Sequence, residues 1–364
     1  MNPKRKKILF ILPTLTAGGA ERVISFVAQN IDKSKFESTL LIVGHKEDAV
    51  YSVEEIPLIF LEKSRVLNAT TNIFWFLLKY RPDVVLSSIG HLNTLMGLLS
   101  GFFPKTKLIV REASVISAMS DAKKENKEIP KKKYFLNFLA SLRAKLGDLS
   151  LKWIDVVICQ SKDMASDFIN IFNLPEEKVV IINNPITQIY PLKTETDKTD
   201  IPRFITVGRL SKEKGHLRIL NLLTKLNFDF RYTIIGTGPE KDSIFERMEK
   251  LGLSEKVNYI PYTEEVLKHI SQHDLFLQGS YVEGFPNTVL ESCLVGTPVL
   301  AFNVPGGTKE IITHGENGYL VETEKEYLHY LNNRLNLAPE QIRKSVEDRF
   351  NKSKILRQFE ALFN

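Results

Sequence analysis

The stretch Ser280–Phe302 reads S-Y-V-E-G-F-P-N-T-V-L-E-S-C-L-V-G-T-P-V-L-A-F, and the reading of the whole chain turns on it. Pro286 suits the first turn of a helix, where its missing N–H leaves no bond unmade. Gly296 reads as the stop of that helix and Thr297–Phe302 as the buried strand that follows. Glu291 then falls inside the helix and Glu283 near its mouth. With the segment mostly helical, the two carboxylates lie roughly 8–12 Å apart along the axis. Between them sits an amide-rich helix start, suited to an anion.

Two glutamates eight residues apart are common, so the neighbouring segments decide what they mean. Upstream is V-G-R-L-S-K-E-K-G-H (Val207–His216), with Gly208, Arg209, Lys214 and Gly215. Downstream are V-P-G-G-T-K-E-I-I (Val304–Ile312) and G-E-N-G-Y-L-V (Gly315–Val321). The E-x7-E signature, G-R-x4-K-G, G-G-x-x-E and N-G occur in the order that resembles the retaining glycosyltransferases of family four. That resemblance spans essentially the whole chain and is sharpest in its C-terminal half. It implies the GT-B architecture: two Rossmann-like, doubly wound α/β domains facing a central cleft, with a C-terminal helix crossing back to the first. The span between Glu283 and Glu291 is about that from the sugar to the ribose of a nucleoside diphosphate sugar.

Bulk composition agrees with a globular enzyme. The 364 residues suffice for two cored domains, and 43% apolar with 25% charged residues is ordinary for a globular protein. Two cysteines, Cys159 and Cys293, both in apolar surroundings, exclude a disulfide framework and suit buried free thiols of a reducing compartment. Ile8–Leu12 is too short for the apolar region of a secretory signal. Val84–Phe103 carries no Asp, Glu, Lys or Arg, but Ser87, Ser88, His91, Asn93 and Thr94 interrupt it, so a buried strand and helix fit better than a membrane span. The formal charge is uneven: +7 over residues 1–185 and −1 over the rest. With no nucleic-acid-binding motif present, an anionic membrane surface or phosphorylated acceptor accounts for that bias better than nucleic acid does.

In chain order, Lys7–Pro13 reads as a covered parallel strand, Gly18-Gly19 as a tight loop, and Ala20 to about Asn30 as an amphipathic helix. Strand, glycine turn and helix let backbone amides approach a phosphate or sugar, although a merely tight turn explains the pattern as well. Strands at Thr39–Val43, Leu58–Leu61, Asp83–Leu86, Lys107–Arg111 and Val156–Cys159 alternate with helices at Asn72–Tyr80, Leu92–Gly101 and Lys162–Phe172. The alternation predicts a doubly wound parallel sheet with ligands beyond the carboxyl ends of its strands. Arg111-Glu112-Ala113 lies at such an end. Family members commonly place a histidine there, and Ala113 cannot substitute for an imidazole; Glu112 and His91 are the candidate sugar or acceptor contacts.

Between Ser120 and Lys152, Lys123, Lys124, Lys127 and Lys131–Lys133 form a basic cluster, and Tyr134, Phe135, Phe138, Leu139, Leu142 and Leu146 repeat at helical spacing. This is either an amphipathic helix packed on its own domain or a membrane-surface helix with basic flanks. The segment Thr187–Ile201 is the clearest composition break. The expected organisation is an acceptor-binding domain over residues 1–186, a linker over 187–202, a nucleotide-sugar-binding domain over 203–345, and a returning helix over 346–364.

The resemblance implies the following roles. Arg209 and Lys214 neutralise the diphosphate, and Glu283 faces the donor sugar. Glu291 accepts from the ribose hydroxyls, and the amides of Gly284, Phe285 and Asn287 add to phosphate binding. Gly18, Gly19 and Gly208 approach the donor, and the loop ending at Tyr262 holds the base. The catalytic set is then Glu283, Arg209, Lys214 and Glu112. No D-x-D occurs, so no metal or other cofactor is expected; the two cations would do the leaving-group work. The expected reaction moves a hexose from a UDP-sugar to a hydroxyl of a lipid-linked or cell-surface glycan acceptor, in the cytoplasm and peripherally on the inner face of the membrane. Two rivals remain at this stage: an epimerase-like enzyme acting on the nucleotide sugar alone, and a non-catalytic sugar-nucleotide-binding partner of another transferase.

Overall fold

The computed structural model describes residues 4–113, 115, 117, 149–194, 201–333 and 337–364. The basic cluster and apolar stripe between Lys123 and Leu146 lie outside the described residues, as does part of the linker. What is described divides into two compact units. The first takes residues 4–113, 149–187 and 352–364, and the second residues 115, 117, 188–194, 201–333 and 337–351.

The first unit is built on seven parallel strands: β1 (Lys6–Leu12), β2 (Phe36–Ile42), β3 (Leu58–Phe60), β4 (Val84–Ser88), β5 (Lys107–Arg111), β6 (Val156–Cys159) and β7 (Val179–Ile181). Their order in the sheet is β3-β2-β1-β4-β5-β6-β7. Order reverses between β1 and β4, which pair in register Ile8 to Val84. Helices α1 (Gly19–Asn30), α2 (Thr70–Tyr80), α3 (Gly90–Ser100) and α4 (Lys162–Phe172) supply the crossovers. The uncharged run from Val84 therefore folds as a buried strand and a mostly buried helix. No helix among the described residues is long and apolar enough to cross a membrane.

The second unit repeats the plan with β8 (Arg203–Val207), β9 (Arg231–Ile235), β10 (Val257–Ile260), β11 (Leu275–Gln278), β12 (Val299–Phe302) and β13 (Gly318–Val321). All pair in parallel in the order β10-β9-β8-β11-β12-β13, reversing between β8 and β11. Its helices are α5 (His216–Leu223), α6 (Lys241–Lys250), α7 (Val266–Ser271), α8 (Asn287–Leu294), α9 (Thr308–Ile311), α10 (Glu324–Asn332) and α11 (Pro339–Glu347). The strands are covered on both faces, which is why they read as continuous apolar runs rather than alternating ones. Two tyrosine hydroxyls in this core are paired: Tyr232 donates to Thr206 Oγ1 at 2.7 Å and Tyr327 to the Leu300 carbonyl at 3.0 Å.

The last helix, α12 (Lys352–Phe363), belongs to the first unit. Its Ile355, Phe359 and Phe363 enter the core around β1, and Phe363 meets Phe10 and Phe36 edge-on at 5.9 and 5.7 Å. Each such pair adds about 0.5–1.5 kcal/mol beyond burial. Lys6 and Lys107 donate to the carbonyls of Phe363 and Leu362, satisfying the helix end and opposing its dipole. The return starts at Lys352, not near residue 346. Ile342 and Val346 are fully buried on α11 in the second unit, and Phe350 still packs there on Phe285 at 5.3 Å.

Candidate functional site

In each unit most candidate residues come from carboxyl ends of strands flanking the point where the order reverses, where open α/β sheets place ligands; Glu112, after β5, and Tyr262, after β10, lie one and two strands away. In the second unit β8 delivers Gly208 and Arg209, and β11 delivers residues 279–285. Two glycine contacts close these loops on each other. Gly215 has φ +66°, and a Cβ there would stand 1.9 Å from the Gly279 carbonyl oxygen. Gly306, after β12, has φ +118°, and a Cβ would stand 1.6 Å from the Glu283 carbonyl oxygen. A side chain at either position is excluded by backbone conformation and by space alike. Hydrogen bonds from Tyr281 N to Glu213 O at 2.8 Å and Glu283 N to Pro305 O at 3.0 Å complete the stitching.

The product of this closure is a partly buried ion pair. Lys214 Nζ donates to both oxygens of Glu283 at 2.7 Å each. Glu283 is 7% exposed, and its Oε1 also accepts from Ser280 Oγ at 2.7 Å and Gln278 Nε2 at 3.3 Å. An ammonium has three donors; two are committed to Glu283 and one remains for another oxygen. Arg209 stands exposed beside this pair in the chain, its backbone carbonyl accepting from His216 Nε2 at 3.1 Å. A carbonyl only accepts, so the proton is on Nε2. Burial, reinforced by the nearby Lys214 charge, pushes His216 down to about 4 and keeps it neutral.

Helix α8 starts at Asn287, with Pro286 as its cap residue, so Glu283 lies wholly outside the helix. That differs from a reading in which Pro286 opens the first turn. The loop must fold back to meet Pro305 and Gly307 before the helix can begin, and Gly284 O is used by Gly307 N at 2.8 Å. Glu291 is buried in α8, Phe285 is buried against Phe350, and Tyr262 is 54% exposed after β10. Ser280, Gln278 and His216 are site residues that motif reading passes over. Their partners are set by the meeting of β8 and β11, not by spacing.

In the first unit, Gly18 precedes α1 in extended conformation and no side chain caps the helix. Glu21, in the first turn, is 7% exposed and accepts from Thr14 Oγ1 at 3.0 Å. Its carboxylate fills the space beside Gly18, where a Cβ would stand 2.0 Å from Oε2. The helix start at Gly18-Gly19 thus already faces a negative charge, which disfavours a phosphate there and suits hydroxyl groups. Glu112, at the end of β5, is held by Asn93 Nδ2 at 2.7 Å; Asn93 in turn accepts from Ser87 Oγ at 2.8 Å. Burial pushes the Glu112 carboxyl above its usual range, opposed by the Asn93 bond and by Arg111. Arg111 is fully buried, donates to Asn184 Oδ1 at 2.7 Å and is pushed down to about 10 by burial, opposed by Glu21 and Glu112. His91 is exposed at the second position of α3, next to Gly90, above which Glu112 Oε2 lies. The residue between β4 and α3, Ile89, has φ +83°, a conformation that strains a β-branched residue and recurs at functional sites. Glu21, Asn93, Arg111 and Asn184 are the residues here that sequence reading did not single out.

Comparison with known proteins adds the following. Residues 17–187 match the family model described as Glycosyltransferase Family 4, and residues 192–346 match that described as Glycosyl transferases group 1. The chain is 27% identical over 97% of its length to the N-acetylgalactosamine-N,N'-diacetylbacillosaminyl-diphospho-undecaprenol 4-alpha-N-acetylgalactosaminyltransferase of Campylobacter jejuni, covering 98% of that protein. It is 25% identical over 93% of its length to the amylovoran biosynthesis glycosyltransferase AmsD of Erwinia amylovora, covering 92% of it. Among solved structures, Anabaena HepE in complex with UDP-glucose superposes with TM-score 0.76 at 17% identity, covering 98% of each chain.

Proposed function

Because this chain belongs, half by half, to Glycosyltransferase Family 4 and the group 1 glycosyl transferases, we propose that it is a metal-independent retaining transferase. It moves a sugar from a nucleotide donor to a lipid-linked glycan acceptor. The observation that carries the reading is the Lys214–Glu283 pair, held between the carboxyl ends of β8 and β11 with Arg209 and the start of α8 in the same loops. A partly buried ammonium and an exposed guanidinium beside helix amides suit a diphosphate, and a buried carboxylate suits sugar hydroxyls.

In this reading Arg209 grips two phosphate oxygens and the third Lys214 donor takes another, while Glu283 keeps the ammonium in place and faces the donor sugar. Glu291 accepts from the ribose hydroxyls, Gly284, Phe285 and Asn287 offer amides to the phosphates, and Tyr262 marks the loop that holds the base. Gly18, Gly19 and Gly208 give close backbone approach, the first two on the sugar side because of Glu21. Glu112 contacts the acceptor or transferred sugar, and His91 is a second contact. The C–O bond between sugar and phosphate breaks, and the acceptor oxygen bonds to the same carbon from the same face. The acceptor proton passes to the departing phosphate oxygen, which explains why no separate general base stands out. Neutralising that phosphate is the task of Arg209 and Lys214, without a metal.

A uridine donor is favoured because HepE was solved with UDP and with UDP-glucose. The lipid-linked acceptor draws on the diphospho-undecaprenol substrate named for the Campylobacter relative and on the amylovoran biosynthesis named for AmsD. With such an acceptor the protein works peripherally on the inner face of the cell membrane. Hydrolysis and transfer measured with UDP-, GDP- and ADP-sugars, with and without excess EDTA, test the reading. One donor class should turn over, with activity changed by less than about twofold by the chelator. Loss on chelation, restored by Mg²⁺ or Mn²⁺, rules out the two-cation mechanism; turnover of the donor sugar into its epimer without transfer supports the epimerase-like alternative.

A further inference from the structure

The chain has two tryptophans, Trp75 and Trp153, and both stand on the surface of the first unit, 65% and 52% exposed. Large apolar side chains that gain nothing from solvent call for a partner. These two are not isolated. Leu67, Trp75 and Leu78 follow helical spacing through α2 and the turn preceding it, and all three are exposed. Phe74 carries the surface onward, its ring 6.0 Å from Trp75 and 5.9 Å from Phe102, which is 70% exposed. Trp153 lies against Gly101, the neighbour of Phe102, and its carbonyl accepts from Ser100 Oγ at 3.1 Å. The patch therefore runs continuously from α2, across the end of α3, to the segment before β6.

Its charge is one-sided. The three stretches that carry it, residues 63–81, 99–105 and 149–153, contain Lys63, Arg65, Lys79, Arg81, Lys105 and Lys152 and no Asp or Glu. Glu62, Asp83, Asp148 and Asp155 border these stretches, but the run of cations within them argues against a second copy of the same face, since a two-fold contact would set these cations against each other. Tryptophan and phenylalanine with flanking lysine and arginine are the chemistry of a bilayer interface, where the ring enters the headgroup level and the cation meets lipid phosphate. We infer that this face of the first unit, Leu67–Trp75–Phe102–Trp153, docks on the surface of an anionic lipid bilayer. The inference deepens the lipid-linked acceptor reading by naming a surface, and it involves none of the residues assigned to donor or acceptor.

Because Trp75 and Trp153 are the chain's complete set of tryptophans, intrinsic emission reports the patch without a label. The full-length protein, free of donor and acceptor, is titrated with vesicles of phosphatidylglycerol and phosphatidylcholine, and with phosphatidylcholine alone. In lipid-free protein the emission should be that of water-exposed indole. Anionic vesicles should move it to shorter wavelength, and bromine-labelled lipid should quench it. Trp75→Ser with Phe102→Ser, read through Trp153, should lower the partition coefficient at least tenfold. Lys79→Gln, Lys105→Gln and Lys152→Gln should each lower it about fivefold on anionic vesicles and leave circular dichroism and donor hydrolysis unchanged.

An unshifted, unquenched emission on anionic vesicles overturns the inference. So does emission already at short wavelength in lipid-free protein, which means another part of the chain covers the patch. A shift that tracks protein concentration together with dimer sedimentation overturns it in favour of a second copy. Donor hydrolysis without vesicle binding refutes this inference alone, and vesicle binding without donor turnover refutes the proposed function alone.

Discussion

Replacing Lys214 by methionine separates the structural from the chemical part of the second-unit site. The change keeps most of the stem volume and removes the charge that both Glu283 oxygens receive at 2.7 Å. At an effective dielectric constant of 20 the gross attraction at that distance is about 6 kcal/mol. Desolvation of both groups offsets much of it, and breaking a buried pair typically costs about 3–5 kcal/mol because the surviving charge is stranded. Here Ser280 and Gln278 still donate to Glu283 and the Lys214 side chain is 29% exposed, so the cost falls to about 2–3 kcal/mol. For a unit of this size that lowers Tm by about 4–12 °C. Glu283→Gln should cost less than Lys214→Met, since the freed ammonium reaches water and the freed carboxylate does not. In the double variant, Lys214→Met with Glu283→Gln, no charge is stranded, and at least half the lost stability should return. Turnover should behave differently, falling about a hundredfold in Lys214→Met and staying low in the double variant. Calorimetry and steady-state rates on the four proteins read both quantities. A Tm unchanged by Lys214→Met, or a double variant no more stable than the single, refutes the energetic argument. Recovery of turnover in the double variant refutes the role of the ammonium in the reaction.

Two further outcomes follow from the geometry. Burial pushes both His216 and His273 down to about 4, and His273 is held neutral between the His269 carbonyl and Thr233 Oγ1 at 2.8 Å. The unfolded chain therefore binds more protons between about pH 6.5 and 4, so stability is full above that window and is lost as pH falls through it. Each histidine removes about 2 kcal/mol on going from pH 7.5 to 5. Urea unfolding at the two pH values should show this, with a smaller loss in His273→Gln; an identical loss in the variant contradicts the assignment. Glu291→Ala should weaken binding of the bare nucleoside diphosphate, whereas Glu283→Ala should act mainly on turnover, because ribose contacts serve ground and transition states alike. Calorimetric titration with UDP decides, and equal affinity losses in both variants would undo the division.

What the sequence determined by itself is local. Apolar runs of five or so residues alternating with helical periodicity specify a parallel sheet wound with helices, and β5, β6 and α4 fall where that rhythm puts them. Gly215, the glycines after β12, Arg209, Lys214, Glu283 and Glu291 were legible as motif positions. Which atoms those residues meet was not legible, because the partners are far apart in the chain. Lys214 finds Glu283 across 69 positions, and Arg111 finds Asn184 across 73. Only the pairing of β8 with β11, and of β5 with β6 and β6 with β7, brings such groups within hydrogen-bonding distance. Burial acts the same way. Glu112 and His216 look like ordinary polar residues in one dimension, and their charge states follow from the low-dielectric surroundings that packing creates around them. The return of α12 to β1 and the exposure of Trp75 and Trp153 likewise depend on which faces the folded units leave covered, and no spacing along the chain records that.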